Sequence, residues 1–152
     1  MKYSQDMGES MVKDPITVDP EVLVLDAQEI MRSWGMRHLP VLDKEKVVGV
    51  LSEGDIFRSI AIKGTNQLKV RDAMNDIPFI VSPHVSLKEV AYEMAQQKYE
   101  CVLVSSEQGK VMGIFTTTDA LYILSQLLQG PGDKFRTINI HEYLSQYQKM
   151  AI

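Results

Sequence analysis

Two hydroxyl–carboxylate pairs with the same spacing are the side chains in this 152-residue sequence best suited to hold a ligand. Ser52 stands three residues before Asp55, and Thr116 stands three residues before Asp119. An ionised carboxylate offers only hydrogen-bond acceptors, so it can hold a vicinal diol with both oxygens. The same spacing is also that of a helix capping box with Asp in place of Glu or Gln. Spacing alone favours the capping interpretation, and the two roles can coexist in part.

Both pairs belong to an internal repeat, which predicts two copies of one structural unit. Residues 14–20 match residues 77–83, and residues 49–55 match residues 113–119. Gly49 opens the second matched block, as Gly113 does in the other copy, and a missing side chain there would let a ligand approach the strand closely. A unit of roughly 60 residues buries too little surface to be robust alone, so the copies are expected to pack together.

Each copy is predicted to fold as β-α-β-β-α, which makes the chain an α/β (α+β) protein. Ser86 and Glu89 form a predicted capping box for the first helix of the second copy. Valine-rich runs with intervening turn residues predict paired strands at residues 39–42, 47–51, 102–104 and 111–115. The predicted division is residues 8–66 for the first unit, residues 67–129 for the second, and residues 130–152 for a tail with a short amphipathic helix capped by Asn139.

The composition excludes several classes of partner. The formal net charge is −4, and the 16 basic and 20 acidic residues are evenly spread, so no nucleic-acid surface is expected. The single cysteine, Cys101, cannot form an internal disulfide. Residues 1–10 have no apolar signal segment, and no apolar run approaches the ~20 residues that a membrane span needs. These features predict a cytoplasmic protein without membrane insertion.

The usual catalytic motifs are missing from the sequence, which predicts that the protein is not an enzyme. There is no phosphate-binding Gly-x-x-x-x-Gly-Lys-Ser/Thr loop and no Gly-x-Ser-x-Gly elbow. His38, His84 and His141 lie far apart without metal-ligand spacing, so no metal site is predicted.

The residues around the two pairs resemble the central pattern of a CBS domain. The segments that carry the resemblance are 37–43 and 48–56 in the first copy and 109–120 in the second. It covers roughly residues 8–128 and implies a tandem CBS pair, or Bateman module, with pseudo-two-fold symmetry and two clefts between facing sheets. Many such pairs bind AMP, ADP, ATP or S-adenosylmethionine, commonly dimerise, and control an attached enzyme, channel or transporter.

The resemblance, together with the nearby basic residues Arg58 and Lys98, gives twelve candidate ligand-binding positions. Asp55 and Asp119 match the residue that accepts hydrogen bonds from the ribose hydroxyls. Ser52 and Thr116 match the hydroxyl position at the start of a helix, where free amides favour a phosphate. The remaining candidates are the first-strand residues Thr17, Val18, Ile80 and Val81 and the basic residues Arg37, His38, Arg58 and Lys98.

The basic pair before the second strand predicts that the two ligand sites are unequal. Arg37 and His38 are suited to phosphate, because a guanidinium binds two oxygens at once and an imidazole adds charge near neutral pH. The alternative for both is a solvated turn. The corresponding positions in the second copy are taken as Tyr99 and Glu100, and Glu100 would repel phosphate.

Two functions follow from these patterns. The first is a non-catalytic regulatory sensor of an adenosine ligand, either an adenine nucleotide or S-adenosylmethionine, with no obligatory cofactor. Such a sensor is expected to form a homodimer and to act on an unidentified protein. The alternative is a ligand-independent interaction or dimerisation module whose apolar tail docks on a neighbouring subunit.

Overall fold

The computed structural model describes residues 6–65 and 67–130, and these residues form six helices and six strands. In chain order they are α1 (Met7–Ser10), β1 (Val12–Lys13), α2 (Val24–Trp34), β2 (His38–Asp43), β3 (Lys46–Ser52), α3 (Glu53–Lys63), α4 (Val70–Ala73), β4 (Ile80–Val81), α5 (Leu87–Gln97), β5 (Cys101–Ser105), β6 (Val111–Thr116) and α6 (Thr117–Leu127). No helix among these residues is long and apolar enough to cross a membrane. The tail helix predicted after Asn139 lies outside the described residues.

Each repeat is built around one antiparallel strand pair, as the sequence predicted. In the first repeat β2 pairs with β3, and Leu39 lies opposite Leu51; in the second, β5 pairs with β6. A parallel segment flanks each pair, because β4 runs beside β5 and Val18 bridges to Val41 of β2. The β-branched residues of these strands pack well on pleated surfaces that are covered on both faces.

The other edge of each sheet is completed by the segment that leads into the opposite repeat. The first strand, β1, pairs with β6 of the second repeat, and Val12 lies opposite Ile114. Asn75 pairs in the same way with Val50 of β3, and their backbone hydrogen bonds are 2.9 and 3.0 Å long. The two repeats are therefore interlocked through their backbones.

Two short helices that the sequence patterns did not predict make the same exchange. In α1, Met7 is fully buried in the core of the second repeat, and its amide donates to the carbonyl of Val85 at 3.0 Å. In α4, Val70 is fully buried in the core of the first repeat, and its amide donates to the carbonyl of Val22 at 2.8 Å. Each core thus contains residues that precede the other repeat.

The glycines of the repeat lie where the exchanged segments cross the central strands. A side-chain carbon at Gly113 would lie 2.3 Å from Met11 Sδ and 2.8 Å from the carbonyl oxygen of Val12. At Gly49 it would lie 2.6 Å from the carbonyl oxygen of Asn75. The expectation that these glycines make room for a ligand is therefore wrong, because protein backbone occupies the space.

The predicted start of α5 is confirmed, but its capping box is only half formed. Ser86 is the N-cap, and its hydroxyl oxygen accepts from the Glu89 amide at 3.2 Å. The Glu89 carboxylate contacts the Ser86 hydroxyl at 3.0 Å and does not accept from the Ser86 amide.

Candidate functional site

Both hydroxyl–carboxylate pairs form complete capping boxes, at the N-termini of α3 and α6. The Asp55 amide donates to Ser52 Oγ and the Ser52 amide donates to Asp55 Oδ2, both at 3.0 Å. In the second repeat the amide and the hydroxyl of Thr116 both donate to Asp119 Oδ2, at 2.7 and 2.8 Å. The capping interpretation is confirmed, and it uses only one oxygen of each carboxylate.

The second carboxylate oxygen distinguishes the two repeats. Asp55 Oδ1 accepts from the Arg58 guanidinium at 3.0 Å, whereas no described residue donates to Asp119 Oδ1. Asp119 is only 6% exposed, and this burial raises the pKa of its carboxyl group while the hydrogen bonds from Thr116 oppose the rise. Oδ1 keeps some contact with solvent, because it is not among the fully buried side-chain atoms that lack a partner. Asp119 therefore offers an acceptor that a ligand hydroxyl could satisfy.

A cleft of about 590 Å³ opens in front of Asp119, between the two repeats. This volume lies within the range of small-molecule sites. The first repeat and the segment before it contribute residues 12, 14–16, 34–38, 52–54 and 57, and the second repeat contributes residues 100, 114 and 116–119. A molecule bound in this cleft would therefore touch both repeats.

Five of the twelve predicted ligand residues line this cleft. They are Arg37, His38, Ser52, Thr116 and Asp119. The other seven are Thr17, Val18, Asp55, Arg58, Ile80, Val81 and Lys98, and none of them lines it.

The seven residues outside the cleft have other surroundings, and a ligand role for them stays a prediction. Val18 is buried in the core of the first repeat, and Val81 packs against the core of the second. Ile80 lies at the edge of its sheet, and Lys98 is exposed directly after α5.

Sequence reasoning did not name most of the other residues that line the cleft, among them Asp14, Pro15, Ile16, Trp34 and Phe57. The first three directly precede Thr17 and Val18, which are the candidate ligand residues of the first strand. Trp34 is half-buried at the cleft. Its position at the end of α2, directly before the left-handed Gly35, was the available signal.

The strand register changes which residues of the two repeats are equivalent. His38 lies opposite Ser52 in the first repeat, and Cys101 lies opposite Thr116 in the second. His38 is therefore equivalent to Cys101. The sequence alignment, which placed His38 against Glu100, was displaced by one residue.

The backbone around the helix starts gives the same correspondence. The Arg37 carbonyl accepts from the Glu53 amide at 2.9 Å, and the Glu100 carbonyl accepts from the Thr117 amide at 3.0 Å. Arg37 and Glu100 thus occupy equivalent places, the first beside the start of α3 and the second beside the start of α6. The two ligand sites were predicted to be unequal, and at this position the first repeat has a cation where the second has an anion.

A contact between a histidine and a glutamate crosses the cleft between the repeats. His38 Nε2 lies 3.5 Å from Glu100 Oε2, and the imidazole is much less exposed than the carboxylate. Burial lowers the pKa of His38, and Glu100 offsets part of that decrease. The imidazole is therefore mainly uncharged at neutral pH and does not neutralise Glu100.

Comparison with known proteins identifies this arrangement. The family model described as CBS domain matches residues 5–62 and 70–126. The chain belongs to the CBS domain family. Each match covers one repeat, so the molecule is a tandem CBS pair, as the residue patterns indicated.

Curated relatives of this CBS pair include much longer enzymes. The inosine-5′-monophosphate dehydrogenase of Korarchaeum cryptofilum is 36% identical over 112 residues, which are 74% of this chain and 23% of that protein. The corresponding enzyme of Bifidobacterium longum is 35% identical and is matched over 20% of its length. The chain thus spans about a fifth to a quarter of these relatives.

Solved CBS structures share the fold over most of the chain. CBSX2, in complex with AMP, has a TM-score of 0.72 and 25% identity, and the match covers 83% of this chain and all of the other. A CBS domain pair in complex with 5′-methylthioadenosine and S-adenosyl-L-methionine has a TM-score of 0.74 and covers 80% and 97% of the two chains. Its identity is 22%, so this likeness concerns the fold alone.

Proposed function

We propose that this CBS pair is a non-catalytic regulatory module that binds an adenosine compound in the cleft in front of Asp119. The observation that carries the proposal is the Asp119 carboxylate, which is held by Thr116 through Oδ2 and has no described donor to Oδ1. A ribose diol supplies the hydroxyl donors that such an oxygen lacks. The AMP complex of CBSX2 supports the choice of an adenosine compound.

The remaining walls of the cleft suit the other parts of such a ligand. Ile16, Trp34 and Phe57 offer apolar and aromatic surface to a purine. Thr117 and Thr118, in the first turn of α6, add exposed hydroxyl groups on the Asp119 side. Apolar walls with a few converging polar groups are typical of small-molecule sites.

Regulation follows from the fact that the cleft has walls from both repeats. A ligand shifts a conformational equilibrium only by its difference in affinity for the two states. A molecule that touches Trp34 in one repeat and Asp119 in the other would have that difference whenever the repeats move relative to each other. We propose that an unidentified protein responds to this movement.

The test compares Asp119→Asn with Asp55→Asn in a thermal stability assay with adenosine, AMP, 5′-methylthioadenosine and S-adenosylmethionine. An asparagine oxygen can still accept from the Thr116 amide, so the variant keeps an acceptor for the helix cap. We expect at least one ligand to stabilise the wild type, by roughly 2.7 kcal/mol at 100 times its Kd. The shift should be lost in Asp119→Asn and kept in Asp55→Asn, whose carboxylate is already paired with Arg58.

Two results would contradict the proposal. One is the absence of any ligand-induced shift in the wild type at millimolar concentration. The other is a shift of equal size in the Asp119→Asn protein.

A second candidate function, association without a ligand, is favoured by apolar side chains on the outer faces of α3 and α6. Phe57, which also lines the cleft, and Leu121 hold equivalent positions, five residues after each cap, and are 54% and 65% exposed. Leu124 and Leu128 extend the exposed row along the α6 side. We propose a second copy of this chain as the occupant, since an isologous interface buries the same patch on both subunits.

Sedimentation without ligand, on the wild type and on Leu121→Lys, tests this association. We expect a dimer that the lysine dissociates, because burying an unpaired ammonium is costly. A monomer at micromolar concentration would remove the association proposal without affecting the ligand proposal. The domain limits, the role of residues 130–152 and the cytoplasmic location stay predictions.

A further inference from the structure

The charges around the cleft are unequal. Among the residues that the structure describes, its walls carry four acidic side chains, Asp14, Glu53, Glu100 and Asp119, and one permanent cation, Arg37. Nucleotide phosphates carry negative charge and are normally held by clusters of basic groups. The described walls of this cleft instead carry more acidic than basic side chains.

The position of Glu100 decides which part of the cleft carries the negative charge. Its backbone carbonyl accepts from the Thr117 amide at 3.0 Å, in the first turn of the helix that Thr116 and Asp119 cap. A ligand held by Asp119 therefore has Glu100 beside it. Arg37 holds the equivalent place beside α3, where its carbonyl accepts from the Glu53 amide.

The contact of Glu100 with His38 does not remove this negative charge. The two side chains approach to 3.5 Å, but the imidazole is the buried partner and the carboxylate remains 73% exposed. Since burial lowers the pKa of His38, the imidazole is mainly uncharged at neutral pH.

From this geometry we propose that Glu100 selects adenosine compounds whose 5′ substituent is uncharged or positive over those that carry a 5′ phosphate. The inference rests on the proposed function of the same cleft and names the ligand class within it. The indole of Trp34 is a second wall group that favours a cation, because aromatic faces attract positive charge.

Three ligands that differ only at the 5′ position test the selection. Adenosine is neutral there, AMP is negative, and 5′-amino-5′-deoxyadenosine is positive at neutral pH. Their Kd values are measured by calorimetry on the wild type and on Glu100→Gln at constant salt. We expect the wild type to bind AMP most weakly.

The glutamine variant should change the two charged ligands in opposite directions. AMP should bind more tightly and the amine more weakly, each by roughly three- to tenfold for a single exposed charge, while adenosine stays within about twofold. A general loss of structure would weaken all three, so the opposite signs separate charge from damage. Glu107→Gln, an exposed acid in the turn between β5 and β6 and outside the cleft, is the matched control and should change none.

The outcomes separate the inference from the proposed function. If AMP binds the wild type more tightly than adenosine, or if Glu100→Gln leaves the AMP-to-adenosine ratio unchanged, the selection by Glu100 is overturned and the adenosine site stands. The selection is also overturned if Arg37→Gln, and not Glu100→Gln, controls that ratio. If none of the three ligands binds, or if all bind Asp119→Asn equally well, both proposals fail.

Discussion

Gly113→Ala is the substitution that tests how the two repeats are interlocked. The new side-chain carbon would lie 2.3 Å from Met11 Sδ, and the flexible methionine could move away. It would also lie 2.8 Å from the carbonyl oxygen of Val12, which is part of the β1–β6 pairing and cannot move alone. Because real contacts of this kind are not shorter than 3.0 Å, β1 must shift away from β6.

The expected cost follows from this forced shift. Inserting a methyl group into a packed position costs typically 1–3 kcal/mol. With a urea m-value of about 1–3 kcal/mol/M, the unfolding midpoint should fall by roughly 1 M. Gly54→Ala is the matched control, since its new carbon would meet nothing closer than Ser52 Oγ at 3.7 Å. That variant should retain or slightly raise stability.

The same shift should be visible locally and in ligand binding. The Asp14 amide, which donates to the Met112 carbonyl at 3.1 Å, should exchange faster with solvent in Gly113→Ala, while the Asn75 amide in the other repeat should not. Ligand affinity should also fall, because residues 12 and 14–16 line the cleft. Wild-type stability together with unchanged Asp14 exchange in the alanine variant would refute the reasoning.

Three further predictions concern charged and reactive groups. Burial holds the pKa of His38 in the folded protein below the value of 6.5 expected in the unfolded chain, so the unfolded chain binds more protons at a pH between these two pKa values. The free energy of unfolding should therefore fall as the pH is lowered through 6.5. His38→Gln should make the free energy of unfolding less dependent on pH in this range, and an unchanged dependence contradicts the prediction. Burial raises the pKa of Cys101 to about 12, so a thiol reagent at pH 8 should label the native protein far more slowly than the denatured one; equal rates contradict it. Glu21 contacts both Lys69 and Arg71, but these ion pairs are partly exposed, so Glu21→Gln should cost less than about 1 kcal/mol in urea unfolding; a larger loss contradicts it.

The central elements of the fold could be predicted from the sequence because they depend on local patterns. The strand from His38 to Asp43 and the helix capped by Ser52 are specified by apolar runs, turn residues and a capping pair within a few positions of each other. The strand is observed within about one residue of its predicted limits, and the helix begins directly after the predicted cap. The internal repeat then gave a second, independent copy of the same pattern.

The exchange between the repeats could not be predicted, because it depends on contacts between residues far apart in the chain. Nothing around Met7 or Val70 indicates that each is buried in the opposite core. The glycines gave a real signal of close approach, but a sequence does not distinguish an approaching ligand from an approaching strand. The equivalence of Glu100 with Arg37 could not be predicted either, because it follows from the pairing of Cys101 with Thr116.

The sizes of the buried clusters indicate how a ligand in the cleft could act on the whole molecule. Within the described residues the two repeat cores contain ten and eight buried side chains, whereas the cluster shared by the facing sheets contains only Val50, Leu103 and Ile114. Fewer contacts resist displacement there, so the layer between the sheets should yield before either core does. Ile114 belongs to this layer and also lines the cleft. A ligand held by Asp119 therefore lies against the part of the structure where a difference in affinity of a few kcal/mol would change the arrangement of the repeats.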